Sequence, residues 1–187
     1  VNSKPKKIVL FELSELALYQ ILDKLKDAKL ENVEIIDKLG SVNDSKTLKE
    51  IFQQHNIDIV IHAAAYKHVN LVERNVVEGF RNNVFGTYSL LSACAECEIN
   101  RFILISTDKA VRPTNVMGTT KRISELIVKE FSENYKSINF AIVRFGNVLG
   151  SSGSVIPLFK KQILSGGPVT LTDPRMKRFF MAIPEAA

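Results

Sequence analysis

The chain has 187 residues, 45% hydrophobic and 24% charged, with a formal net charge of +5. That balance reads as one soluble globular domain; no apolar run approaches the roughly 18 residues of a membrane span and no signal peptide opens the chain, so a cytoplasmic protein without membrane contact in this stretch is expected. The lysines, among them Lys4, Lys6, Lys7, Lys24, Lys26, Lys46 and Lys49, are dispersed and lack aromatic interleaving, which tells against nucleic acid and leaves a solvated surface that attracts anions.

Lys7-Ile8-Val9-Leu10-Phe11 reads as a short strand ending at Glu12, with Ser14 as N-cap of a helix from Glu15 to about Ala28. In dinucleotide-binding folds an acidic residue at the end of the second strand hydrogen-bonds the adenosine ribose, and its charge repels a 2′-phosphate. Glu12 therefore favours NAD over NADP, although a solvated Glu at a strand end looks the same. Val33-Glu34-Ile35-Ile36 reads as the next strand, and a helix capped at Asp44 or Ser45 runs to about His55, an exposed residue on this reading. Asp58 to His62 is a strand that runs into Ala63, Ala64 and Ala65, whose small side chains let a dinucleotide approach the backbone; plain packing would use them too. His62 and His68 lack an acidic or thiolate cluster at ligand spacing, so they read as core or loop histidines and no metal site is expected. Cys94 and Cys97 lie inside a helical run, Tyr88 to Glu98, with no second pair, and read as two small helix residues.

Phe102-Ile103-Leu104-Ile105 reads as a buried parallel strand, and it delivers the stretch Ser106 to Arg122 to the sheet edge where open α/β sheets bind ligands. Asp108 and Lys109, side by side, offer an acid and a base to one ligand, and Lys121 shares a helix face with Met117 four residues before it. The helix is expected from about Thr119 to Tyr135, and the strand from Phe140 brings Asn147 to the same edge as Asp108. The loop Ser151 to Pro157 has amides and hydroxyls suited to a diphosphate or sugar, as would a simple turn. Val169 to Thr172 reads as a further apolar strand, and Arg178 precedes Phe179-Phe180-Met181.

On these residues the chain resembles the extended short-chain dehydrogenases/reductases, most closely the bacterial nucleotide-sugar 4,6-dehydratases of polysaccharide biosynthesis that act on UDP-N-acetylglucosamine. The run Ser106-Thr107-Asp108-Lys109-Ala110 matches, Tyr66-Lys67-His68-Val69 follows the family closely, and Asn82-Asn83-Val84-Phe85-Gly86-Thr87 resembles Asn-Asn-Val-x-Gly-Thr, whose Asn braces the active-site strand. The family's Tyr-x-x-x-Lys pair stands here as Met117 and Lys121. A thioether cannot move the proton that a phenol does, and Met at this place resembles the longer, membrane-anchored members.

The resemblance implies a Rossmann-like, doubly wound parallel α/β sheet. Nothing before Ile8 supplies a first strand or a glycine-rich turn, so an interior part of a longer chain is expected: residues 1–150 as a partial NAD(P)-binding domain and 151–187 as the start of a nucleotide-sugar-binding region. It further implies cofactor contacts from Glu12, Ser14, Ser41, Val42, Ala63, Ala64, Ala65, Lys67, Asn82, Ser106 and Lys121, with Ser41 standing where relatives often carry an Asp facing the adenine. Substrate contacts would come from Lys67, His68, Asn147, Ser154, Val155 and Arg178, the last near the pyrophosphate. Thr107, Asp108, Lys109, Met117 and Lys121 take the catalytic positions. Hydride would pass from carbon 4 of the sugar to NAD(P) and return to carbon 6, Lys109 would take the carbon 5 proton, and Asp108 would protonate the departing carbon 6 hydroxyl. A UDP-sugar substrate, a homo-oligomer and a place in capsule or lipopolysaccharide synthesis are also expected, with the stretch alone binding NAD poorly and inactive. A sugar 4-epimerase of the same superfamily would not need the Asp108-Lys109 pair. A nonenzymatic NAD(P)-binding protein, which Met117 would suit, has no reason to keep both an acid and a base.

Overall fold

The computed structural model of the chain describes residues 5–28, 30, 32–149, 155–171, 173–175, 177 and 179–186. The expected substrate residues Ser154 and Arg178 lie outside these residues. The chain divides into two compact units, Val1–Val143 and Arg144–Ala187.

Strands and helices alternate through the first unit. β1 (Lys7–Glu12) leads through α1 (Glu15–Asp27) to β2 (Glu34–Leu39), and the two strands pair in parallel. Ser14 caps α1 by accepting from Ala17 N at 3.3 Å, and Asp44 caps α2 (Ser45–His55) by accepting from Thr47 N at 3.1 Å. Each such cap contributes about 1 kcal/mol. β3 (Ile59–His62) pairs in parallel with β4 (Arg101–Thr107), in the order β3-β4-β5 with β5 at Asn139–Phe145. Between β3 and β4 run α3 (Val69–Arg74), α4 (Val76–Phe80), a π-helical turn (Arg81–Phe85) and α5 (Gly86–Glu96); α6 (Val116–Asn134) follows β4.

The core lies on one face of the β3-β4-β5 sheet. Val60, Phe102 and Leu104 pack there against Leu48 and Phe52 of α2, Leu90 and Leu91 of α5, and Val128 and Phe131 of α6. Full burial of each large apolar side chain contributes about 1.5–3 kcal/mol, so this face anchors α6. The alternate residues of β3, Ile59 and Ile61, point the other way and are 50% and 64% exposed. Cys94 is buried in this core and Cys97 caps α5, both as free thiols.

In the second unit β6 (Asn147–Val148) pairs in parallel with β7 (Phe180–Met181); its helices are α7 (Val155–Leu164) and α8 (Ile183–Ala186). No described helix is long and apolar enough to cross a membrane.

Several expectations need correction. Val155 to Pro157 form the first turn of α7 and not a loop, because proline's missing N–H is no loss in a first turn. The expected strand from Val169 does not form over residues 169–171; Thr170 is tied to α7 instead, its N donating to Gln162 Oε1 at 3.1 Å and its Oγ1 accepting from Gln162 Nε2 at 2.6 Å. A side-chain amide has replaced a ladder partner. α6 starts three residues before Thr119 because Asn115 caps it, accepting from Gly118 N at 2.8 Å. His55 is half-buried, with its Nε2 out of solvent and lacking a hydrogen-bond partner among the described residues.

Candidate active site

The carboxyl ends of β1, β2 and β3 surround a cavity of about 280 Å³. Glu12, the last residue of β1, is held at its rim by accepting from Ser14 N at 2.9 Å. Ser41, just past β2, accepts from Asn43 N at 3.2 Å, and Ala63, Ala64 and Ala65 continue β3 with little more than backbone. Val42 and Asn82 complete the expected residues that line this cavity, and Phe11, Leu13, Gly40 and Tyr66 line it without having been singled out. Each of those four adjoins a residue that was, so the strand-end rule carried the signal. Lys67, Ser106 and Lys121 do not line it.

The end of β4 has a different character. Thr107 opens a single 3₁₀ turn, Asp108–Ala110, in which Thr107 Oγ1 accepts from Lys109 N at 3.4 Å. Thr107 Oγ1 and Lys109 Nζ both donate to Asp108 Oδ1, at 2.9 and 3.0 Å. Partial burial pushes the Asp108 carboxyl up, but the hydrogen bonds from Lys109 and Thr107 outweigh it and hold the group below the usual carboxylate range. The resting pair is thus a carboxylate and an ammonium, side by side at the strand end.

α6 presses directly on this turn. A Cβ on Gly118 would stand 2.6 Å from Lys109 O, so only glycine allows the approach. Met117 and Lys121 are both buried on α6. Lys121 Nζ donates to Ile105 O at 2.7 Å; burial, opposed by the nearby Glu125 charge, lowers its pKa to about 8. Ser106, placed among the cofactor contacts on sequence, is instead turned into the layer between β4 and α6, where its hydroxyl donates to Glu125 Oε1 at 2.6 Å.

A buried polar network braces the layer behind. Asn83 Oδ1 accepts from Tyr66 N at 2.7 Å, while its Nδ2 donates to Tyr66 O at 3.1 Å and to Thr120 Oγ1 at 3.0 Å. Asn82 Nδ2 donates to Asn83 Oδ1, so the first Asn faces the cavity and the second holds the strand exit to α6. Thr87 gives its proton to Asn83 O at 2.6 Å, which makes His62 Nε2 the donor in its 3.0 Å contact with Thr87 Oγ1. Burial, then the Lys121 cation, pushes His62 down to about 3, so the imidazole is neutral.

The expected substrate residues are scattered in character. Lys67 and His68 are exposed, and His68 precedes α3 without a side-chain cap bond. In the second unit Asn147 Nδ2 donates to Phe179 O at 3.1 Å and Val155 opens α7.

Comparison with known proteins gives this geometry a context. The "Capsular polysaccharide biosynthesis protein CapD" of Staphylococcus aureus is 46% identical over 183 residues, covering 98% of this chain and 31% of its own length. A "UDP-N-acetylglucosamine 4,6-dehydratase (inverting)" of Campylobacter jejuni is 34% identical, covering 98% and 54%. A "UDP-glucose 4-epimerase" of Rickettsia canadensis is 38% identical over 159 residues, covering 84% and 46%. The chain thus spans between about a third and about half the length of these relatives. Among solved structures, Pen from Bacillus thuringiensis superposes with a TM-score of 0.88 at 34% identity, over 97% of this chain and 55% of that one. A double mutant of the dTDP-glucose 4,6-dehydratase DesIV from Streptomyces venezuelae, with NAD and DAU bound, gives 0.82 at 20% identity over 95% and 59%, a likeness of fold. The architecture is the Rossmann-like one that these structures share. With the family model for "Polysaccharide biosynthesis protein" matching residues 1–187, the whole of the sequence, the chain belongs to that family.

Proposed function

We propose that this chain carries the cofactor cavity and the acid–base centre of an NAD-dependent nucleotide-sugar 4,6-dehydratase acting on UDP-N-acetylglucosamine. The observation that carries the reading is the Asp108–Lys109 pair, hydrogen-bonded at 3.0 Å at the carboxyl end of β4.

The cavity residues fit the adenosine side of NAD. Glu12 offers carboxylate oxygen to a ribose diol and opposes a 2′-phosphate, Ser41 offers a hydroxyl, and Ala63, Ala64 and Ala65 leave room for a flat ring against the backbone. NAD, when bound, supplies the hydride acceptor and donor. The protein's own task is to move protons. Lys109 takes the proton from carbon 5, and Asp108 gives one to the hydroxyl leaving carbon 6. That step begins with a neutral amine and a protonated carboxyl, and it ends in the ion pair seen at rest. Resetting the site therefore means passing one proton from Lys109 to Asp108 along their hydrogen bond. Exclusion of water by a bound sugar favours this transfer, because desolvation disfavours both charges. Met117 has no proton to exchange, and Lys121, one turn along α6, has its pKa lowered to about 8 by burial.

The 38% identical relative named as a 4-epimerase favours a second reading, in which the same cavity serves inversion at carbon 4. Mass spectrometry of UDP-N-acetylglucosamine incubated with the whole protein and NAD separates the two. Loss of one water is expected; an unchanged mass with inverted carbon 4 would replace the dehydratase by the epimerase.

A further inference from the structure

We infer that Glu125 is a positioning residue for this site: buried between α6 and β4, its carboxylate fixes the strand end that carries Thr107, Asp108 and Lys109, one helical turn from the Lys121 ammonium. The inference rests on the nucleotide-sugar reading only for its kinetic readout.

Two neighbouring residues of β4 are gripped by two residues one turn apart on α6. Lys121 Nζ donates to Ile105 O at 2.7 Å, and the hydroxyl of Ser106 donates to Glu125 Oε1 at 2.6 Å. Glu125 Oε2 also accepts from Arg122 at 3.0 Å, in an ion pair whose acidic side chain is 2% exposed and whose basic one is 43% exposed. A buried carboxylate carries a heavy desolvation penalty, and a well-packed apolar side chain would serve the fold at least as well. What an apolar residue cannot supply is a negative charge one helical turn from a buried ammonium.

The other ionisable groups on the elements packed against α6 do not supply it. His62 on β3 is neutral, Asp108 and Lys109 pair with each other, and Glu78 pairs with Arg81. Glu73 on α3 accepts from Val116 N at 2.7 Å, Arg74 beside it is exposed, and Glu96 of α5 pairs with Lys49. Glu125 is the charge that opposes the effect of burial on Lys121.

The test is the titration of Lys121 in the whole protein, followed by NMR of lysine labelled at the ε-carbon, assigned with Lys121→Arg and recorded without substrate. Glu125→Gln keeps an acceptor for Ser106 and removes the charge, so the Lys121 midpoint should move to lower pH by about one unit. The alkaline limb of kcat should move with it. Glu125→Met, an apolar side chain for a buried site, also removes the charge and should move the midpoint the same way. It decides alone if Glu125→Gln does not fold. A midpoint unmoved by these substitutions overturns the inference. A midpoint that moves while no form of the protein releases water from the sugar upholds it, and sinks the dehydratase reading instead.

Discussion

The cavity at the ends of β1, β2 and β3 and the centre at the end of β4 are built by opposite means. Around the cavity the protein withdraws its side chains: three alanines, a glycine and two serines leave backbone and space. At the end of β4 it crowds them. Asp108 is bonded by two donors, Ser106 by a buried carboxylate, Lys121 by a carbonyl, and Gly118 admits no added atom beside Lys109. A binding surface made of absence tolerates chemistry but not bulk. A cluster of charges held by hydrogen bonds tolerates neither the loss of a charge nor the displacement of a partner.

That contrast can be broken most severely at Lys109. Lys109→Ala should slow water loss from UDP-N-acetylglucosamine by about 10³-fold while the affinity for the nucleotide sugar stays within a few-fold, because a base acts chiefly in the transition state. Solvent deuterium at carbon 5 is the readout, and exchange at the wild-type rate removes Lys109 from the chemistry.

The next largest effect concerns the network behind the centre. His62 titrates near 3 when folded and near 6.5 when unfolded, so between those values the unfolded chain holds a proton that the folded chain does not. Stability should fall as pH falls through that window, by about 4–5 kcal/mol from this group at its foot. His62→Gln retains an N–H for Thr87 and should flatten this limb in a pH series of urea midpoints. Equal pH slopes in both proteins would mean that the imidazole is not held neutral.

On the cavity side the expected effect is smaller. Ala64→Leu adds bulk where NAD is expected to lie, and should weaken NAD binding by roughly tenfold or more, about 1.4 kcal/mol, with stability changed by less than about 1 kcal/mol. Calorimetric titration of the whole protein measures the first and thermal unfolding the second. Unchanged affinity would place the dinucleotide elsewhere.

The same division governs what the sequence made legible. Glu12, Ser14 and the alanines stand at strand ends, and a strand end is a local pattern of a few residues, so eight expected contacts line one cavity. Asp108 and Lys109 are adjacent, and adjacency survives folding. Ser106 and Glu125 are 19 residues apart, and Asn83 and Thr120 are 37 apart. Such pairs form only when α6 has packed on β4, and no local pattern announces them. An acid four residues after Lys121 on the apolar side of α6 was the available hint for Glu125. The expected strand misled over residues 169–171 for the converse reason: apolar residues make a strand only where another strand offers its edge. The π-helical turn was invisible because Arg81 to Phe85 suits an α-helix as well.

That turn gives the helical run from Val76 to Glu96 two phases. Gly86 N reaches back five residues to Arg81 O, so the run carries one residue more than an unbroken α-helix would hold over the same span. Before the surplus is absorbed, Asn82 points to the cavity; after it, Thr87 points to His62, with Asn83 between them on Tyr66 and Thr120. Excising any one of the five residues would restore a single phase and swing everything downstream by about 100° relative to what precedes it. The helix would then have to abandon the cavity or the network. One extra amino acid is what lets a single helix serve both.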